Sequence, residues 1–117
     1  MRAVVRRFHS PDADLDCYVP DDPQDVGLLV QMMIGPEGEP GEESFDVVVC
    51  TPRWLERRVH EEGALIGRHH LMIERWDADR VRNFLRDAVE SEEAPTWPEL
   101  AAKIGRLGKW EFEDYQP

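Results

Sequence analysis

Apolar residues fall into short bursts separated by polar, proline- and glycine-rich stretches, and the spacing inside each burst predicts an element. Arg2 to Phe8 alternates loosely through Val4, Val5 and Phe8, which suits a first strand. Ser10-Pro11-Asp12 breaks it, and a polar connection containing Pro20 and Pro23 runs on to Asp25. Val26 to Ile34 is a dense apolar run that fits a buried strand; because it lacks clean alternation, a short helix stays open as the alternative. Gly35 to Glu43 has three glycines, two prolines and no apolar side chain, and predicts a loop closing a hairpin. In Ser44 to Cys50, Phe45, Val47 and Val49 would share one face, with Asp46, Val48 and Cys50 on the other.

The second half reads as helical. Thr51 followed by Pro52 is a helix start, with threonine as the cap and proline at the first helical position. That helix runs through Trp54, Leu55 and Val59 and stops at Gly63. Ile66 to Trp76 reads as a strand centred on Leu71, Met72 and Ile73. Asp77 can cap the next helix, which puts Val81, Phe84, Leu85, Ala88 and Val89 on one face, opposite Arg80, Arg82, Arg86, Asp87 and Glu90. Thr96-Trp97-Pro98-Glu99 offers a capping box for a third helix with Leu100, Ala101 and Ile104 inward, ended by Gly105 and Gly108. Lys109 to Tyr115 alternates aromatics with acids, as a short last strand or a docked tail would. Strands early and helices late predict an α+β fold, a small, mostly antiparallel sheet with about three helices packed on one face. A length of 117 residues fits a single domain over 1–117.

Charge sharpens this picture. The formal net charge is -11, and it is unevenly placed. Between Arg7 and Arg53 there is no Lys or Arg, while the interval holds Asp12, Asp14, Asp16, Asp21, Asp22, Asp25, Glu37, Glu39, Glu42, Glu43 and Asp46. Concentrated like charge works mildly against folding but speeds encounter with an oppositely charged partner. Solvated loops that merely keep the chain soluble would look the same. Nucleic acid and anionic membrane are poor partners for such a surface, since phosphates need Lys and Arg to replace their counterions. No run approaches the roughly 20 apolar residues of a membrane span. The N-terminus has no uninterrupted apolar stretch like that of a secretory signal, so a cytoplasmic protein is expected.

Candidate chemistry is sparse. Asp12, Asp14 and Asp16 alternate as in a calcium loop, but Cys17 stands where such a loop needs its glycine and Pro23 where it needs its glutamate. Cys17 and Cys50 fit no metal or redox spacing, and no cofactor or metal is expected. His69 and His70 are neighbours, so on a strand they would face opposite ways and could not share a metal. No nucleophile elbow, phosphate loop or zinc motif occurs. An enzyme is therefore not expected. Four tryptophans, Trp54, Trp76, Trp97 and Trp110, are candidates for an aromatic centre within an acidic rim. For Trp54 and Trp110 a core position is the simpler expectation.

Several segments are similar to a known family. Met33-Ile34-Gly35-Pro36, Gly38-Glu39 and Gly41-Glu42-Glu43-Ser44-Phe45-Asp46 lead into Val49-Cys50-Thr51-Pro52 and Trp54-Leu55. Gly67-Arg68-His69 and the closing Gly108-Lys109-Trp110-Glu111-Phe112-Glu113-Asp114-Tyr115 follow. In this order they resemble the immunity protein 8 family of bacterial polymorphic toxin systems. The resemblance implies a small cytosolic α+β protein that binds a toxin domain over or near its active site and is not a catalyst. It carries no set of binding residues to transfer. Charge and exposure alone therefore nominate Asp12, Asp14, Asp16, Asp21, Asp22, Asp25, Glu37, Glu39, Glu42 and Glu43 for contact with a cognate, basic toxin domain, joined by the acidic tail. Charge reversal at Glu42 and Glu43 is expected to weaken binding without unfolding the chain. The rival reading is an acidic protein-interaction or regulatory module unrelated to toxins, and gene neighbourhood separates the two.

Overall fold

Alternation of small apolar and polar residues produces a sheet with one dry face. The computed structural model describes residues 1–115. Strands β1 (Ala3–His9), β2 (Gly27–Pro36) and β3 (Glu43–Cys50) form an antiparallel meander. The outer side of β3 is shared by two short pieces. β4 (His70–Met72) runs parallel to its second half, and β5 (Lys109–Trp110) runs antiparallel to its first half. Helices α1 (Pro52–Glu62), α2 (Ala78–Glu90) and α3 (Trp97–Ile104) complete the fold, which is α+β as the element order predicts.

Ala3 and Val5 of β1, Leu28, Val30, Met32 and Ile34 of β2, and Phe45, Val47 and Val49 of β3 are buried on one face. Val81, Leu85 and Val89 of α2 and Leu100, Ala101 and Ile104 of α3 close over them. Burial on this scale contributes roughly 1.5–3 kcal/mol per large side chain. It also decides β2, since only a strand lets four alternate residues share one dry face. The register is held by a bulge in β1, where Arg6 is the extra residue between Val5 and Arg7.

Four expectations are corrected. Thr51 precedes α1, but its hydroxyl does not cap the helix; it accepts from the Val26 N–H at 3.0 Å and so pins the start of β2. Helix α1 buries no residue. Its Trp54 is half-buried and lies across Gly27, where any Cβ would stand 1.9 Å from the ring. The strand expected over Ile66 to Trp76 shrinks to three residues. His69 adopts a left-handed φ of 61°, which turns the chain just before β4, and Trp76 drops into the core beside Tyr18. On α2, Phe84 is 59% exposed. The buried stripe follows steps of four residues through Val81, Leu85 and Val89, and Phe84 falls off its edge.

Candidate functional site

The ten nominated carboxylates do not form one patch. Asp12, Asp14 and Asp16 follow the end of β1, and Asp21, Asp22 and Asp25 precede β2. In the antiparallel meander these six lie at the same end of the sheet. Glu37, Glu39 and Glu42 occupy the β2–β3 hairpin at the opposite end. Strand β2 separates the groups, and its ten residues cover about 30 Å at ~3.3 Å each.

Their engagements also differ. Asp16 pairs with Arg82 at 2.8 Å, Asp22 with Arg53 at 2.7 Å and Glu42 with Arg7 at 2.8 Å. Asp25 takes both guanidinium arms of Arg57. Arg53, Arg57 and Arg82 come from the mixed-charge half of the chain, so folding offsets part of the one-signed segment. Asp12 is turned toward the Leu29 N–H at 3.3 Å, and Asp14 caps the Asp16 N–H at 2.9 Å. Asp12, Asp14, Asp21, Glu37 and Glu39 are in no ion pair among the described residues, and all five are exposed.

Glu43 is a different case. It pairs with Ile34 at the start of β3, so its side chain points to the core face. Oε1 accepts from the Trp97 indole at 2.7 Å and Oε2 from the Trp110 indole at 2.6 Å. One carboxylate thus joins β3, the first turn of α3 and β5. The expectation that its charge can be reversed without disturbing the fold is corrected: reversal would place an ammonium against two indole donors.

The hairpin is held by Arg6. Pushed out by the bulge, its guanidinium donates to the carbonyls of Gly41 at 2.9 Å, Pro36 at 3.0 Å and Glu39 at 2.6 Å. Three carbonyls on one fork fix a glycine- and proline-rich loop that has few contacts of its own. Glu37 and Glu39 are presented from that fixed loop.

Beside the hairpin, the acidic tail carries a series of aromatic rings. The rings of Phe45, Trp110, Phe112 and Tyr115 follow one another at centroid separations of 6.3, 6.0 and 5.7 Å. The series runs from the core to the surface, where Tyr115 is 66% and Phe112 40% exposed. Trp110, Phe112 and Tyr115 line a 520 Å³ groove together with Asp46, Lys109, Glu111 and Asp114. The alternation of aromatics and acids from Lys109 to Tyr115 was the available signal. Both Trp54 and Trp110 are half-buried, so neither is a full core anchor.

The adjacent histidines His69 and His70 each face a backbone carbonyl. His69 directs Nε2 at the Gly105 carbonyl, 2.7 Å away, and His70 directs Nδ1 at the Arg68 carbonyl, 2.9 Å away. Both cysteines are free. Burial pushes the Cys50 thiol up to about 11, and the exposed Cys17 thiol is raised by its hydrogen bond to Asp14 and that carboxylate's charge. Both stay protonated at neutral pH, which lowers their reactivity.

The Arg57 hydrogen bonds, with added Coulomb attraction, hold the Asp25 carboxyl below the usual aspartate range. A depressed folded-state value contributes stability above the unfolded value and loses it as pH falls through the folded one. The tie from α1 to the segment before β2 is therefore intact at neutral pH and releases in acid, below about pH 4. A carbon-detected NMR titration of Asp25 should show this depressed value, and Arg57→Ala should return it toward the ordinary one. An unchanged titration in the variant would exclude the pair as the cause.

No helix among the described residues is long and apolar enough to cross a membrane. No curated protein and no solved structure matches the chain. The family model for immunity protein 8 matches residues 3–115, which takes in every strand and helix described above. The chain therefore belongs to the immunity protein 8 family, a family of immunity proteins of toxin systems.

Proposed function

We propose that this protein binds a cognate toxin domain and neutralises it stoichiometrically, without catalysis, through a carboxylate-rich surface that meets a basic toxin surface. The observation that carries the reading is the family match over nearly the whole chain. The exposed carboxylates outside ion pairs, at Asp12, Asp14, Asp21, Glu37 and Glu39, support the electrostatic part. Surface charges of one sign raise the association rate with an opposite surface and discriminate against other partners.

The division of the carboxylates bears on this directly. A standard interface covers about 800 Å² per partner, roughly 30 Å across. A patch of that size centred on one acidic end leaves the other outside. One end then carries the contact, and the other contributes only long-range attraction.

The test is a pull-down and a stopped-flow measurement with the toxin domain encoded beside this gene, at low and high salt. Tight association is expected, with a rate constant that falls at least about tenfold between low and high ionic strength. An association rate indifferent to salt would remove the electrostatic part and leave the immunity role. No association at low salt would remove the role.

A further inference from the structure

The geometry points to the groove between β3 and the tail as the place where the toxin is gripped, and to an arginine side chain of the toxin as the occupant. This inference rests on the toxin-binding reading above and adds to it a location and a chemistry.

The groove is lined by aromatic and acidic residues together. Exposed Phe112 and Tyr115, with half-buried Trp110 edge-on to Phe112, line a 520 Å³ space. Four carboxylates face one lysine in its lining, Asp46, Glu111, Glu113 and Asp114 against Lys109. Arg68 occupies Glu113, which leaves three carboxylates for the one lysine.

Two of those three are held in position. Asp46 accepts from the Gln31 side-chain amide at 3.1 Å, and Glu111 accepts from the Ser44 N–H at 2.8 Å. Neither bond cancels the charge. The carboxylates are thus positioned before any partner arrives, which lowers the ordering cost of binding.

Aromatic faces within about 6 Å of a cation attract it, and a surrounding acidic wall adds Coulomb attraction. Arginine suits both parts better than lysine. Its planar guanidinium stacks on a ring while its fork of donors reaches a carboxylate. A purely apolar occupant would leave the acidic wall desolvated and unpaired, at a cost. Charge complementarity therefore selects a cation, and the exposed rings of Phe112 and Tyr115 select a flat one. The groove also adjoins the Glu37–Glu42 hairpin, since Glu111 bonds to Ser44 at the hairpin's return strand. At this end three aromatic residues, Trp110, Phe112 and Tyr115, line the same groove as the carboxylates.

The experiment has two arms. In the first, isotope-labelled protein is titrated with N-acetyl-arginine methylamide, and with its citrulline analogue, which has the same shape without the charge. Saturable NMR shifts are expected at the Trp110 indole N–H and the amides of Lys109 to Tyr115, with a response to citrulline at least about tenfold weaker. Equal responses to both compounds, or shifts centred on Asp14 and Asp21, would overturn the proposal. An equal response to the lysine analogue would overturn the assignment of arginine.

In the second arm, the adjacently encoded toxin domain is titrated with wild-type protein, with a Tyr115→Ala, Asp114→Asn double variant, and with an Asp14→Asn, Asp21→Asn control. Matched urea midpoints verify that all are folded. The tail variant is expected to bind at least about thirtyfold more weakly, as loss of an interface hot spot does, and the control less than about threefold. Unchanged binding by the tail variant would overturn the groove as the contact while leaving the immunity reading in place. A wild-type protein that takes up the arginine amide but no toxin would keep the groove's chemistry and discard the toxin as its partner.

Discussion

Glu43→Ala is expected to lower the unfolding free energy by about 2–4 kcal/mol, a change at the larger end of single substitutions. Its carboxylate holds two indole donors, Trp97 at 2.7 Å and Trp110 at 2.6 Å. A hydrogen bond to a charged group contributes about 1.5–3 kcal/mol when half-buried groups lose it. Both indoles are partly exposed, so water recovers some of each loss and the low end of the sum applies. Glu43→Gln should fall in between, because the amide keeps one acceptor and turns a second donor toward the other indole. Glu42→Lys, one position away, breaks only an exposed pair with Arg7 and should cost less than about 1 kcal/mol. Urea denaturation followed by tryptophan fluorescence reads all three. Equal midpoints for Glu43→Ala and wild type would show that the clamp does not hold β3, α3 and β5 together.

The second large effect is at Gly35. A Cβ there would stand 2.0 Å from the Gly41 carbonyl oxygen and 2.8 Å from the Arg6 Nε. The first obstacle is backbone, so no rotamer change relieves it. Gly35→Ala must push the hairpin loop away from β1, at about 1–3 kcal/mol for the overpacking, and must pull the loop carbonyls off Arg6. Arg6→Ala should loosen the same loop from the other side. Because both changes break one unit, the double variant should cost measurably less than the sum of the singles. Gly67→Ala is the control: a Cβ there meets nothing within 4 Å, and a shift within about 0.5 kcal/mol is expected. Additive costs, or a neutral Gly35→Ala, would refute the coupled loop and staple.

Much of the fold was legible in local pattern because local physics decides it. Alternation in SFDVVVC placed Phe45, Val47 and Val49 on the dry face, where they are buried. Asp77 caps α2 through the Arg80 N–H at 3.1 Å, and Thr96 accepts from the Glu99 N–H at 3.4 Å. Gly63 ends α1. Elsewhere a long-range contact overrules the local preference. Thr51 has the right type for a cap, yet its hydroxyl is taken by Val26, twenty-five residues away. Ile66 to Trp76 has strand composition, but β3 has room beside it for only His70–Met72 once β5 occupies the rest of that edge.

By itself, then, the sequence determined the three helices, the strands β1 and β3, the α+β class and the family, while β2 and the extent of β4 waited on the packed sheet. These depend on periodicity, caps and turn residues, which neighbouring positions express. Only the tertiary structure decided what the charges do. It brought Arg53, Arg57 and Arg82 back onto the acidic segment, turned Glu43 inward to two indoles, and set the remaining carboxylates at opposite ends of β2. It also gathered Trp110, Phe112 and Tyr115 beside Asp46. The reason is physical: a charge acts over distances set by space and screening, and separation along the chain does not give separation in space.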